Sequence, residues 1–338
     1  MRVGLVIVTF NAERHVDRCL QAVHQQTKPP DRVILVDSGS RDRTLDVIDR
    51  WRERLGPHLD VLAFGENVGF AVANNRAVER LEDCDLIALL NPDAFPDPEW
   101  LAALVAAAAL HPEDGSFASR LMMAGSSDVL DGAGDVFHVS GLVWRYGHRA
   151  RVGDVPEALS ERPVFGACAA AALYRRDDWR QAGGFDEHYF CYAEDVDLAF
   201  RLQLMGRSCR YVPDAVAYHV GSATAGIDSA FAVYHGYRNL EWTFVKNMPA
   251  SLLWRYLPLH FAAVFAELVW FVRKGRGAAI VRAKWDALGG LVAAISARRR
   301  IQSTRRVRAD AIRGVLDRSP LIDRFRTRLS RPPAPSSK

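Results

Sequence analysis

The stretch "DLIALLNPDAFPDPEW" (residues 85–100) decides the fold. Five apolar residues, Leu86 to Leu90, run without a polar break and stop at Asn91-Pro92-Asp93. A strand apolar on both sides is covered on both faces, as in a parallel sheet. The same punctuation recurs upstream. "VGLVIV" (3–8), "RVILVD" (32–37) and "DVLAF" (60–64) read as strands beside "DLIALLN" (85–91), and residues 13–25, 42–54, 70–81 and 98–110 carry helical patterns. This βαβα rhythm predicts an α/β fold with helices on both faces of the sheet. Ligands in such sheets sit at the carboxyl ends of the strands. The polar residues ending each run are therefore the first site candidates: Thr9, Asn11, Asp37, Ser38, Gly39, Ser40, Asn91 and Asp93.

Further on the pattern loosens. Residues 115–162 read as loops and short strands of a length that often forms lids or binding loops, specificity is expected in 120–165, and "VFGACAAAALY" (164–174) reads as a buried strand. The composition, 49% hydrophobic and 25% charged, supplies a sizeable core. Five cysteines, odd in number and without a CxxC pair, argue against a disulfide framework or zinc site and for a reducing cytosol. The N-terminal apolar run is too short for a signal peptide and reads as the first strand.

The net charge of +4 is divided: 19 of the 44 basic but only 5 of the 40 acidic residues lie from Ala250 onward. The body is acidic and the C-terminal arm basic, which calls for an anionic partner. The arm shows no nucleic-acid recognition motif, so a membrane surface is the expectation. Residues 252–272, "LLWRYLPLHFAAVFAELVWFV", are long enough to span a bilayer. They contain Arg255, Pro258, His260 and Glu267, however, and His260, Glu267 and Lys274 recur every seven residues on one helix face. That predicts an amphipathic helix lying in the interface rather than a clean span, with a helix packed on the domain as the plainer reading. The last residues, "SRPPAPSSK", read as a disordered tail.

Three stretches carry possible chemistry, each with a plainer reading beside it. "LVDSGSRDRT" (35–44) puts Asp37 at a strand end, where it can accept from a base or ribose, or merely shape a turn. "ENVGFAVANNRA" (66–77) places Asn67 and Gly69 at a helix start, suited to phosphate or to ordinary capping. "HYFCYAEDVDLAFRLQLMG" (188–206) crowds Glu194, Asp195 and Asp197 onto a helix N-terminus. An acidic first turn accounts for one or two of these, and Asp197 stands four residues before Arg201 as an ordinary pair.

In their order along the chain, "VIVTFN" (6–11), "VDSGSRDRT" (36–44), "NVGFAVANN" (67–75), "NPDA" (91–94), "GGFDEHYFCYAEDVDLAFRLQLMG" (183–206) and "YVPDAVAYHVGSAT" (211–224) resemble the inverting glycosyltransferases of family 2. "YHGYRNLEWTFVKN" (234–247) further resembles their rhamnosyltransferase-like branch. The resemblance implies a GT-A nucleotide-diphosphosugar transferase fold, a Rossmann-like mixed sheet, with a C-terminal helical membrane-associating extension. The catalytic domain would cover residues 1–225, the extension 226–310 and a basic, partly disordered tail 311–338. It implies a nucleotide pocket at Thr9, Asn11, Asp37, Ser38, Gly39, Asn67, Gly69 and Asn91, the last standing where the family's DxD motif has its first aspartate. It implies a divalent metal, Mg or Mn, at Asp93 and His219. Asp195 would be the general base, favoured in its charged form by helix N–H groups, with Glu194 beside it and the flanking aromatics stacking on sugar. The implied donor is a nucleoside diphosphate sugar, with dTDP-rhamnose leading and galactofuranose or a hexose as alternatives. The implied acceptor is a glycan or polyprenyl-linked sugar at the cytoplasmic face of the cell membrane. Two rivals fit less well. A nucleotidyltransferase needs a glycine-rich phosphate loop that "TFNAERHV" (9–16) lacks, and a non-catalytic scaffold leaves Asp93, Asp195 and His219 without purpose.

Overall fold

The computed structural model describes residues 1–221 and 229–321; part of the motif at 211–224, the 225/226 boundary and the "SRPPAPSSK" tail lie outside them. The first half alternates as its sequence predicts. Strands β1 (Val3–Thr9), β2 (Arg32–Ser38), β3 (Leu59–Phe64) and β4 (Leu86–Leu90) alternate with helices α1 (Val16–His24), α2 (Thr44–Leu55) and α3 (Phe70–Val78). The four strands are parallel in the order β3-β2-β1-β4. After a short β5 (Ala94–Pro96), helix α4 (Trp100–Leu110) leads into the second half of the sheet.

That half departs from the sequence reading. Residues Asp114–Met123, at the start of the region expected as loops and short strands, form β6, a ten-residue strand inside the sheet. Its polar residues hid it. Ser119 is buried because its hydroxyl accepts the Trp100 indole N–H at 2.8 Å, which satisfies both groups in the core. Strand β7 (Leu130–Ala133) pairs with β6, while β8 (Asp135–Phe137) and β9 (Val143–Arg145) form a separate hairpin. The run 164–174 is not one strand: β10 (Arg162–Val164) and β11 (Ala171–Arg175) flank a loop. Helices α5 (Arg176–Ala182) and α6 (Glu194–Leu204) follow, then β12 (Ser208–His219). β11 runs antiparallel between β4 and β6, and β12 runs parallel to β6, so the sheet is mixed. Two apolar clusters, built around Leu5, Ile7 and Leu104 on one side and Val6, Val36 and Ala77 on the other, cover its two faces. This alternation of side chains across β1 is what a doubly covered strand requires.

Four long helices follow among the described residues: α7 (Ala230–Asn247), α8 (Ala250–Arg273), α9 (Gly277–Gly289) and α10 (Leu291–Ser303). A short α11 (Ala309–Val315) follows, and Asp317 bridges to His138 beyond β8. His260 and Glu267 do share one face of α8, and it is turned inward. Partners on neighbouring elements hold it there. His260 Nε2 lies 2.8 Å from Glu241 of α7 and its Nδ1 2.8 Å from the Ser140 carbonyl. Lys284 of α9 bonds both Glu241 (2.5 Å) and Glu267 (2.8 Å). Only Lys274, at the end of α8, is exposed. All five cysteines are free thiols.

Candidate active site

The carboxyl ends of β1, β2 and β4 open into a cleft of about 900 Å³. Its base is knitted by the residues at the strand ends. Thr9 donates to Asp37 Oδ1 at 3.0 Å, and the Ser40 N–H donates to Asp37 Oδ2 at 2.9 Å. The Asn11 amide oxygen accepts the Arg41 N–H at 2.9 Å. Gly39 has φ +76°, and a Cβ there would stand 2.6 Å from the Glu66 carbonyl carbon, so only glycine fits. Thr9, Asn11, Asp37 and Gly39 thus build the support. Ser38, Asn67, Gly69 and Asn91 line the cleft itself, with Asp93, Glu194, Asp195 and His219. The Asn67 side chain accepts from Ser38 Oγ (3.2 Å) and from the Gly69 N–H (3.0 Å), ordering the turn into α3.

Asp93 and His219 meet as the sequence expects. His219 Nε2 is 3.4 Å from Asp93 Oδ1, and its Nδ1 is 2.8 Å from Asp131 Oδ2. A carboxylate behind an imidazole fixes its ring orientation and tautomer, the usual arrangement behind a metal-bound histidine. Burial alone would lower the His219 pKa; the hydrogen bonds and charges of Asp131 and Asp93 outweigh it and raise it to about 9. Beside this pair the buried Asn91 Oδ1 has no hydrogen-bond donor among the described residues. An unpaired amide oxygen, a carboxylate and an imidazole on one wall fit a divalent cation. A second group of ligand-type side chains, His111, Glu113 and Asp114, lies at the start of β6. Its carboxylates are held by Arg210, and His111 by Glu161, so it reads as an ion-pair cluster.

The three carboxylates of α6 separate into distinct environments. Asp197 is fully buried and saturated by Arg201 (2.9 Å), Asn247 (2.7 Å), Tyr189 (3.2 Å) and Lys246 (3.0 Å); the pair with Arg201 is present but is one of four. Asp195 accepts the N–H groups of Ala169 (3.0 Å) and Val196 (2.8 Å). These bonds favour the charged form, as expected, but burial outweighs them and its carboxyl sits above the ordinary range. Glu194 is pushed well above its ordinary value by burial and by the Asp195 charge. Its Oε2 has no partner among the described residues. Two adjacent carboxyls held in different environments are an arrangement that acid–base sites use.

The turn presenting these carboxylates is strained. Phe190, Tyr192 and Ala193 all have positive φ (65°, 68° and 65°), a conformation that costs roughly 1–2 kcal/mol per residue. Asn239 of α7 over-determines it: one side-chain amide donates toward the carbonyls of Tyr189 (3.0 Å), Cys191 (2.9 Å) and Tyr192 (2.8 Å). The Ala71 N–H donates to the Phe190 carbonyl, and a Cβ on Gly69 would strike that oxygen at 2.7 Å. The Asn67–Gly69 turn and the carboxylate turn are in direct contact through Gly69. Of the aromatics expected to stack on sugar, Phe185 and Tyr189 are core residues, whereas Phe190 lines the cleft.

Sequence reasoning missed the far wall, where β8 and β9 contribute Asp135, Trp144 and Arg145. Arg145 bonds the Asp131 carboxylate and is held firmly protonated by Asp131, Asp135 and Asp195 against the opposing effect of burial. Burial and the charge of Asp195 keep Asp135 well above its ordinary value. Asp131, 88 positions from His219, had no local signal. Asn239 lay within a quoted stretch but showed no sign of its task.

A mixed sheet with this strand order and a cleft at its carboxyl edge has architectural parallels. Over 85% of this chain and 87% of the other, the structure matches a mannosyltransferase from Pyrobaculum calidifontis in complex with GDP-Man and Mn2+, at TM-score 0.55 and 19% identity. It matches residues 1–349 of S. aureus TarS over 90% and 91% of the two chains, at TM-score 0.52 and 17% identity. The class is a GT-A nucleotide-diphosphosugar transferase fold. The glycosyl transferase family 2 model matches residues 5–178, and the chain belongs to that family and is a glycosyltransferase. It is 31% identical over 253 residues to an N-acetylglucosaminyl-diphospho-decaprenol L-rhamnosyltransferase of Mycobacterium tuberculosis, covering 68% of this chain and 80% of the relative. The rhamnosyltransferase WbbL of Escherichia coli K12 is 30% identical over 163 residues, 47% of this chain and 61% of that one.

Proposed function

We propose that this enzyme transfers L-rhamnose from dTDP-rhamnose, with inversion, to a hydroxyl of a lipid-linked or polysaccharide acceptor in cell-surface glycan synthesis. The sugar and acceptor follow the names of the relatives. The chemistry rests on one observation: Asp195, its carboxyl raised by burial yet held by two N–H groups, lies in the same cleft as the Asp93–His219–Asp131 chain. As the acceptor oxygen attacks the anomeric carbon and the glycosyl–phosphate bond breaks, the hydroxyl proton passes to Asp195. Glu194, whose Oε2 has no partner among the described residues, hydrogen-bonds the acceptor and keeps it in line. Thr9, Asn11, Asp37, Ser38, Gly39, Asn67, Gly69 and Asn91 hold the nucleotide, the first three and Gly39 by supporting the turn. Asp93 and His219, with Asn91 Oδ1 beside them, would hold a divalent metal, Mg or Mn, which supplies charge neutralisation at the departing diphosphate. Residues 1–225 form the catalytic domain and 226–310 the extension that keeps it at the cytoplasmic face of the membrane.

The test is release of nucleoside diphosphate from a panel of nucleotide sugars, with wild type and Asp195→Asn. Turnover should fall by about 10²–10⁴-fold while donor binding by calorimetry persists. Equal turnover in the variant would remove Asp195 as base, and release from a donor other than dTDP-rhamnose would replace the sugar.

A further inference from the structure

We propose that the outward face of α8, α9 and α10 docks on an anionic lipid bilayer, with a basic cavity between α8 and α10 taking a lipid phosphate. The use of this surface rests on the membrane-borne acceptor of the preceding reading; the observations behind it do not.

On α8 the residues Trp254, Pro258, Phe261, Phe265 and Val272 fall on one stripe, since steps of three, four and seven return to the same side of a helix. The stripe is exposed: Trp254 by 71%, Phe261 by 62% and Phe265 by 69%. The opposite stripe, His260, Ala263, Glu267 and Phe271, is turned inward. The helix is amphipathic with its apolar side out. α9 does the same. Ile280, Ala283 and Ala287 are buried, with the Trp242 indole of α7 donating to the Ala287 carbonyl, and Val281, Trp285 and Leu288 are exposed on the other side. α10 continues the face with Val292 and Ile295. Nine of the fifteen large hydrophobic side chains exposed among the described residues belong to these three helices. Single exposed apolar residues are ordinary, but such a concentration marks an interaction surface.

Charge selects the occupant. The two carboxylates on these helices both turn away from that face: Glu267 bonds Lys284, and Asp286 bonds Tyr234 of α7 at 2.6 Å. The arginines do not. A cavity of about 490 Å³ is lined by Arg298, Arg299 and Arg305, with Ser251, Gln302 and Ile295. Among the described residues no carboxylate pairs with these three arginines. Arg298 is fixed by bonds to the Val245 and Met248 carbonyls, and burial and the Arg305 charge both press on it. Unrelieved positive charge next to an apolar face suits a phosphate whose acyl chains continue over Ile295. α8 is long and apolar enough to cross a membrane, but crossing would strip Glu241 and Lys284 from His260 and Glu267 and leave buried charges unpaired. The helix lies on the bilayer.

The experiment is flotation of the full chain with phosphatidylcholine vesicles, with and without phosphatidylglycerol, alongside donor turnover on a water-soluble acceptor. Wild type should bind phosphatidylglycerol vesicles, blue-shift its tryptophan emission on binding, and be released by alkaline carbonate. Arg299→Gln and Arg305→Gln should each weaken binding about fivefold, and Phe261→Asp/Phe265→Asp should abolish it, with turnover and thermal midpoint retained in all three. Binding by that double variant as tight as wild type, absence of wild-type binding, retention after carbonate, or a stable dimer that shields Trp254 and Trp285 from vesicles would each overturn the inference. Turnover is scored separately, so a failed donor assay with intact flotation would count against the proposed reaction and not against the surface.

Discussion

The sheet and the C-terminal helices are built on opposite plans. In the sheet, Leu5, Ile7, Phe117 and Leu173 are buried together in an apolar core. In the helical layer, Glu241, His260, Glu267 and Lys284 make an ion-paired interior while Trp254, Phe265 and Trp285 stand outside. The first turns its large apolar side chains away from water, and the second leaves several of them exposed.

Four measurements sharpen the contrast, from the largest effect downward. Phe117→Ala, in the middle of β6, should cost about 3–5 kcal/mol of unfolding free energy, read by denaturant titration. Lys284→Met should cost about 3 kcal/mol, because it leaves Glu241 and Glu267 buried together without their shared cation; a neutral result would mean the ion pairs are dispensable. Third is pH. Glu241 is lowered from 4.5 to about 2, against burial, by its bonds to His260 and Lys284. Its stabilisation is present above pH 4.5 and lost as pH falls toward 2. His260 and Glu267 are both raised, so their contributions are full at low pH and fade as pH rises through their folded values. Thermal midpoints across pH should therefore fall on both sides, and Glu241→Gln should flatten the acid limb. Smallest is Phe265→Ala, which should change stability in solution by no more than about 0.5 kcal/mol. A loss comparable to that of Phe117→Ala would make the outer face part of a core.

Sequence legibility followed locality. The βα rhythm was readable because each of β1 to β4 is apolar along its own length. β6 was not, because Ser116, Ser119 and Arg120 look like loop until partners such as Trp100 arrive. The same split holds at the site. Asp93, Glu194, Asp195 and His219 sit in recognisable stretches, and the fold brings them into one cleft. Asp131, Asp135 and Arg145 depend on how β7 and the β8–β9 hairpin fold against the sheet. The seven-residue spacing of His260, Glu267 and Lys274 identified a helix face; which way it points depended on Glu241 and Lys284, on other helices.

The clamp that Asn239 places on the Phe190–Ala193 turn bears on how far the protein is modular. The turn that aims Glu194 and Asp195 takes its shape from a helix that follows the sheet domain. The two regions are therefore not interchangeable parts: a chimera joined before α7 replaces the residue that clamps the turn, so a new helical layer cannot be grafted without also re-aiming the carboxylates.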